Sequence, residues 1–279
     1  MWRQLFYPYS SLGQYSHTDL QRGKANAAFM LIPNDATVDL WLWSFDPLDP
    51  GDPLGSQNQA SSTLLPHTAL SLTIEEQSYA AGLKNKVLRS RWIEARTGLR
   101  RILAAYLGIR PEQIQLSRNR QGKPYLENQD NSLSALQFNL SHTPDWCAVV
   151  VTQHMQVGVD IEQPRPVSAK LWPRVLTEAE RAEMATFPES EQPQAFLRSW
   201  TRKEALGKAL GHGVLPHLGR TQTGLCQQDG LMTLTLEATE TASQARYMRD
   251  LPAHPLLVGA IAASTAFCLR EKNYRELLF

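Results

Sequence analysis

Apolar residues crowd Val38 to Phe45 (VDLWLWSF), a run rich in β-formers that predicts a strand. Before it, residues 1–36 scatter Tyr, Ser, Gln and Gly with no period, and read as an extension without assigned structure. After it, Asp46 to Gln59 is dense in Pro, Gly, Asp and Ser and reads as a loop. The period then changes. From about Ile74 to Leu107, ending before Gly108, Trp92, Leu99, Leu103 and Leu107 are spaced as one buried helical stripe, with Arg89, Arg96 and Arg100 away from it. Thr73-Ile-Glu-Glu76 opens this region as a capping box, in which the Thr hydroxyl and the Glu three residues on satisfy free backbone donors. Gly122-Lys-Pro124 marks a turn, and Phe138–Leu140, Cys147–Thr152 and Val157–Ile161 read as short strands of one sheet.

The second half repeats the rhythm. Thr177-Glu-Ala-Glu180 is another capping box, and a strong helix follows from about Gln194 to Leu210. Met232–Leu236 and Leu256–Cys268 read as strands, followed by a charged tail. Leu72-Thr73-Ile-Glu-Glu76 leads to Leu88-Arg-Ser-Arg-Trp92-Ile-Glu94-Ala95, much as Leu176-Thr177-Glu-Ala-Glu180 leads to Leu197-Arg-Ser-Trp200-Thr-Arg-Lys-Glu204-Ala205. This points to an α/β (α+β) chain of two similar halves, 37–157 and 158–279, packed face to face with a site between them.

Charge narrows the function. With 28 basic and 27 acidic side chains the net charge is +1, which argues against broad nucleic-acid or membrane-surface binding. Any phosphate site is therefore local. Three widely spaced cysteines, Cys147, Cys226 and Cys268, suit neither a disulfide framework nor a zinc site. The N-terminus shows no signal-peptide pattern, and the longest apolar stretch, Leu256 to Ala263, is too short to cross a bilayer. The expectation is a reduced, cytoplasmic protein.

Four groups of residues can carry chemistry. In Gly158-Val-Asp160-Ile-Glu162 a strand would turn Asp160 and Glu162 to one face, where a hard divalent cation relieves their repulsion. In the helix Trp200-Thr-Arg-Lys203-Glu204-Ala-Leu-Gly-Lys208, Glu204 and Lys208 lie one turn apart on the flank of the apolar stripe, and Gly207 permits close approach. Asn139-Leu-Ser141-His142 offers a hydroxyl and an imidazole for phosphate oxygens. It lacks the G-x-S-x-G elbow of a hydrolase nucleophile. Lys84, Lys86, Arg89, Arg91, Arg96, Arg100 and Arg101 make the first helical region basic, which is the pattern of a solvated face or of phosphate ligands.

Taken in order, Gly122-Lys-Pro124, Phe138-Asn-Leu-Ser141-His142, Gly158-Val-Asp160-Ile-Glu162 and Trp200-Thr-Arg-Lys203-Glu204-Ala205 with Lys208 and Gly211 resemble the Sfp-type 4′-phosphopantetheinyl transferases over roughly Val38 to Cys268. The resemblance implies a pseudo-twofold single-chain fold of two α/β halves with the active site at their interface. It implies Mg²⁺ held by Asp160, Glu162 and Glu204, with Glu204 also drawing the proton from an incoming serine and Lys208 near the diphosphate. It further implies coenzyme A as donor, contacted by Lys123, Pro124, Ser141, His142 and Lys208, and more loosely by Lys84, Arg96 and Thr97. The acceptor it implies is an apo acyl or peptidyl carrier protein, and the enzyme is expected to be a monomer. Two rivals stand beside this reading. A different Mg²⁺ phosphoester enzyme would not add the phosphopantetheine mass to a carrier protein, and a non-catalytic carrier-binding module would bind without modifying it.

Overall fold

In a computed structural model the described residues are 36–45, 71–127, 136–211, 218–228, 230–236 and 244–277. The expected extension before residue 36 and the expected loop Asp46–Gln59 lie outside them. The chain divides into two compact units, one holding residues 71–114 and the other the remaining described residues.

The first unit is a helical pair, α1 (Ile74–Gly82) and α2 (Lys86–Leu107). The sequence reads as one helical region, but Leu83-Lys84-Asn85 interrupts it, because Asn85 caps α2 by accepting from the Val87 and Leu88 N–H groups. Gly108 ends α2 in the left-handed conformation, at φ 64°. The capping box at Thr73 and Glu76 is present in full. Leu99 and Leu103 are buried as the stripe predicts, whereas Arg96 and Arg100 do not face solvent. Both guanidiniums turn onto the Glu76 carboxylate, and Arg100 also donates to the Pro111 and Ile114 carbonyls. Burial alone would raise the Glu76 pKa; the two arginines and the Thr73 N–H outweigh it and hold the carboxyl below its usual range. Arg89 likewise folds back, onto the Ala81 and Leu83 carbonyls at the end of α1.

In the second unit, β1 (Thr37–Ser44), β4 (Leu136–His142), β5 (Trp146–Gln153) and β10 (Cys268–Asn273) form one sheet in the order β10-β1-β5-β4. A hairpin of β2 (Leu116–Arg118) and β3 (Pro124–Leu126) precedes β4. The other sheet holds β6 (Val157–Glu162), β7 (Met232–Leu236), β8 (Gln244–Asp250) and β9 (Val258–Ala263) in the order β6-β9-β8-β7. The order β1-β5-β4 in one sheet corresponds to β6-β9-β8 in the other, with every pairing antiparallel. Within each of these three-strand sets, the last strand in sequence, β5 or β9, lies between the other two. Three helices lie between β6 and β7: α3 (Trp172–Val175), α4 (Glu178–Met184) and α5 (Gln192–Ala209).

The charged tail is a correction. Cys268–Asn273 pairs in parallel with β1, and Arg270 reaches the buried Asp39 carboxylate at 2.5 and 2.8 Å. An outer strand needs no apolar alternation when its paired charge lies on the neighbouring strand.

Alternation along β6 decides where the chemistry goes. Val157, Val159 and Ile161 join Val38, Leu40, Ala148 and Val150 in the core between the sheets. Gly158, Asp160 and Glu162 therefore face the other way, toward α5. A Cβ on Gly158 would stand 2.1 Å from the Ala205 carbonyl oxygen and 2.5 Å from the Ala209 nitrogen, both fixed helix backbone. Gly158→Ala is therefore expected to push α5 off the sheet and to cost about 1–3 kcal/mol, as overpacking does. Urea unfolding measures this, and an unchanged midpoint would contradict the close packing.

Candidate active site

The site grows from the face of β6 that looks at α5. Asp160 is 7% exposed and its Oδ1 accepts two hydrogen bonds, from Lys208 Nζ at 2.7 Å and Ser141 Oγ at 2.9 Å. Its other oxygen, Oδ2, is buried and accepts none. Glu162 lies two residues along the same face. Burial raises its proton affinity, the Asp160 charge raises it further, and Arg165 and the Trp200 indole N–H partly oppose them. Two close carboxylates, one with an enclosed open oxygen, form a seat of the hard-oxygen type.

Helix α5 runs antiparallel to β6. Lys208 meets Asp160 at one end of the contact, and Trp200 donates to Glu162 at the other. Four residues advance about 6 Å along a helix and two residues about 6.6 Å along a strand, so the steps match. Glu204 sits on α5 midway between Trp200 and Lys208. Among the described residues, however, no group of three or more His, Cys, Asp or Glu side chains is placed to hold a metal ion. Asp160 and Glu162 lie two residues apart on one face of β6, and Glu204 stands on α5.

The cations arrange themselves around the same strand. Lys208 Nζ also donates to the Val159 carbonyl at 2.8 Å, leaving one of its three N–H groups for another acceptor. Lys123 Nζ donates to the Val157 carbonyl at 2.9 Å and to the Lys208 carbonyl at 2.8 Å. Burial, with the Lys208 charge beside it, lowers the Lys123 pKa to about 8. The hairpin delivers this lysine: Gly122 adopts φ +87°, and the Asn119 side chain accepts from the Lys123 N–H while donating to the Gly211 carbonyl beyond α5. Between hairpin and β4 a recess of about 280 Å³ opens beside Lys123, Pro124, Leu126, Leu136 and Phe138. His142 ends β4. Burial and the Lys208 charge lower its pKa, against the pull of Asp160, which keeps the imidazole neutral near pH 7.

Ser141, His142, Asp160, Glu162 and Lys208 therefore gather at one place, with Lys123 bonded to the backbone that carries Lys208. Lys84, Arg96 and Thr97 belong to the first unit. There Lys84 is exposed in the α1–α2 connection, Arg96 is paired with Glu76, and Thr97 is buried.

Sequence reading left Arg202 and Lys203 without partners, and both are structural. Lys203 is fully buried and donates to Glu180 Oε2 at 2.5 Å and to the Val175 carbonyl at 2.7 Å. Glu180 also accepts from Thr177, Thr223 and Gly224 N–H groups. Arg202 makes a two-pronged pair with Asp250 at 2.8 and 2.6 Å and donates to the Thr223, Gly224 and Cys226 carbonyls. Both capping-box glutamates, Glu76 and Glu180, ion-pair with the long helix that follows.

The protein is a mixed α/β chain in which the β6 carboxylates and Lys208 of α5 meet beside the hairpin that carries Lys123. Residues 156–256 match the family model described as the 4′-phosphopantetheinyl transferase superfamily, and residues 69–154 the one described as 4′-phosphopantetheinyl transferase, N-terminal. The chain belongs to the 4′-phosphopantetheinyl transferase superfamily. Among its relatives, the 4′-phosphopantetheinyl transferase HetI of Nostoc sp. is 36% identical over 128 residues, which is 45% of this chain and 54% of that protein. The 4′-phosphopantetheinyl transferase AcpT of Salmonella typhimurium is 36% identical over 127 residues, 45% of this chain and 60% of that protein. The 4′-phosphopantetheinyl transferase psf-1 of Bacillus pumilus is 28% identical over 160 residues, 57% and 66% respectively. The matches span between 54% and 66% of these three relatives' own lengths.

Proposed function

We propose that this protein transfers the 4′-phosphopantetheine group of coenzyme A to a serine of an apo acyl or peptidyl carrier protein, with Mg²⁺, releasing 3′,5′-ADP. The observation that carries the reading is the divided Asp160 carboxylate. One oxygen is saturated by Lys208 and Ser141, and the other is buried with no donor, next to a second carboxylate on Glu162. Such a pair fits Mg²⁺, which takes one or two protein carboxylates and completes its octahedron with substrate phosphates and water. Bound there, the ion would polarise the phosphoryl group and neutralise developing charge.

The chain's own residues supply the rest. Asp160 and Glu162 on β6, with Glu204 on α5, would hold the cation. Glu204, on α5, takes the proton from the serine hydroxyl as its oxygen bonds to phosphorus and the P–O bond to 3′,5′-ADP breaks. Lys208, with its remaining N–H, steadies charge on the departing diphosphate oxygen. Lys123, Pro124, Ser141 and His142 orient the donor at the recess and strand end, which lowers the entropic cost of the encounter. Lys84, Arg96 and Thr97 are proposed contacts for its nucleotide end.

Intact-mass analysis of an apo carrier protein incubated with coenzyme A and Mg²⁺ tests the reaction. Gain of one phosphopantetheine group is expected. Coenzyme A consumed without that gain would favour a phosphoester hydrolase, and binding without modification a non-catalytic module. Glu204→Gln is expected to slow transfer at least about 100-fold, the range for a lost general base. A folded variant with near-normal turnover would remove Glu204 from that role.

A further inference from the structure

Among the described residues, strand β6 is an outer strand of its sheet, and β4 is an outer strand of the other. An outer strand leaves a row of N–H and C=O groups without a ladder partner. On β6 that row is filled by side chains. The Val157 carbonyl accepts from Lys123 Nζ, and the Val159 carbonyl from Lys208 Nζ. The Val159 N–H donates to Asn139 Oδ1 at 2.9 Å, and the Ile161 N–H to Ser141 Oγ at 3.3 Å. Asn139 and Ser141 are both buried, and their two-residue spacing on β4 matches the two-residue spacing of the amides they hold. The amides on either side of Asp160 are thus pinned from the opposite sheet, and Ser141 also orients Asp160 Oδ1.

We infer that Asn139 is a positioning residue for Asp160, acting with Ser141 as a substitute ladder partner for β6. Asn139 needs no contact with substrate. It sets the height of the strand, so that Oδ1 meets Ser141 and Lys208 while Oδ2 is presented to the ligand. Its consequence for catalysis rests on the transfer reading above; its consequence for the strand does not.

Amide hydrogen exchange by NMR, transfer kinetics and Mn²⁺ affinity in the presence of coenzyme A test this together. In Asn139→Ala the Val159 amide is expected to exchange about tenfold faster, and kcat to fall about tenfold, as one lost buried hydrogen bond allows. The KM for coenzyme A should stay within about twofold, because no donor contact is removed. Asn139→Asp keeps an acceptor oxygen at the same reach and should restore Val159 protection. Unchanged Val159 exchange in Asn139→Ala, or faster exchange with kcat and Mn²⁺ affinity both unaltered, would overturn the inference. Should Asn139→Ala not fold, Ser141→Ala reads the same device at the Ile161 amide: faster exchange with weaker Mn²⁺ binding supports it, and no change in either overturns it. If the unsubstituted protein transfers nothing, the transfer reading fails by itself. The Val159 exchange and Mn²⁺ affinity of Asn139→Ala then decide the positioning claim alone.

Discussion

Asp160→Asn is expected to reduce transfer to a carrier protein by about a thousandfold or more, since losing several kcal/mol of transition-state stabilisation costs a factor of ten per 1.36 kcal/mol. The substitution keeps the shape of the side chain. Its carbonyl oxygen can still accept from Ser141 and Lys208, which now hold Oδ1 at 2.9 and 2.7 Å. What disappears is the negative charge that balances Lys208 and, in the proposal, one of the cation's carboxylate ligands. The loss should therefore appear in kcat and in the Mg²⁺ concentration needed for half-maximal rate, with the melting temperature little changed. Steady-state kinetics across a Mg²⁺ series checks it. A variant with unaltered Mg²⁺ dependence would place the cation elsewhere.

Lys203→Ala should have the opposite profile. Lys203 and Glu180 are both fully buried, so removing the ammonium leaves an uncompensated carboxylate inside the protein. Burial alone would raise the Glu180 pKa, and Lys203 with the backbone donors at Thr223 and Thr177 holds it below the usual range. The expected cost is about 3–5 kcal/mol of stability, typical of a broken buried pair. Replacing both residues by apolar ones would recover only part of this, because the N–H groups of Thr177, Thr223 and Gly224 would lose their acceptor. Denaturant unfolding measures the loss. A stable Lys203→Ala variant with poor turnover would instead make Lys203 part of the chemistry, as its place beside Glu204 invites one to think.

That pair of neighbours shows what a sequence can and cannot disclose. Period two in Gly158-Val-Asp160-Ile-Glu162 was enough to send Val159 and Ile161 to the core and the acids to the other face, and the structure agrees. Both capping boxes were legible for the same reason: they are local, and each is completed within four residues. The long-range ion pairs were not. Nothing around Arg96 or Arg100 says that a glutamate 20 or 24 residues earlier will turn them inward, so a basic run read as a solvated face or a set of phosphate ligands became partly interior. Gln244–Asp250 lacks the apolar alternation that announces a strand, and so does the charged stretch after Cys268, which continues β10 to Asn273. The substitute ladder of Asn139 and Ser141 was equally hidden, since it exists only where two sheet edges meet.

A crystal structure with coenzyme A and Mn²⁺, read by anomalous scattering, locates the cation. One ion is expected, bonded to Asp160 Oδ2 and to a Glu162 oxygen at about 2.1 Å, the distance of a small octahedral cation, with diphosphate oxygens among its other ligands. An ion bound away from β6, or coenzyme A bound with both carboxylates touching no metal, would contradict it.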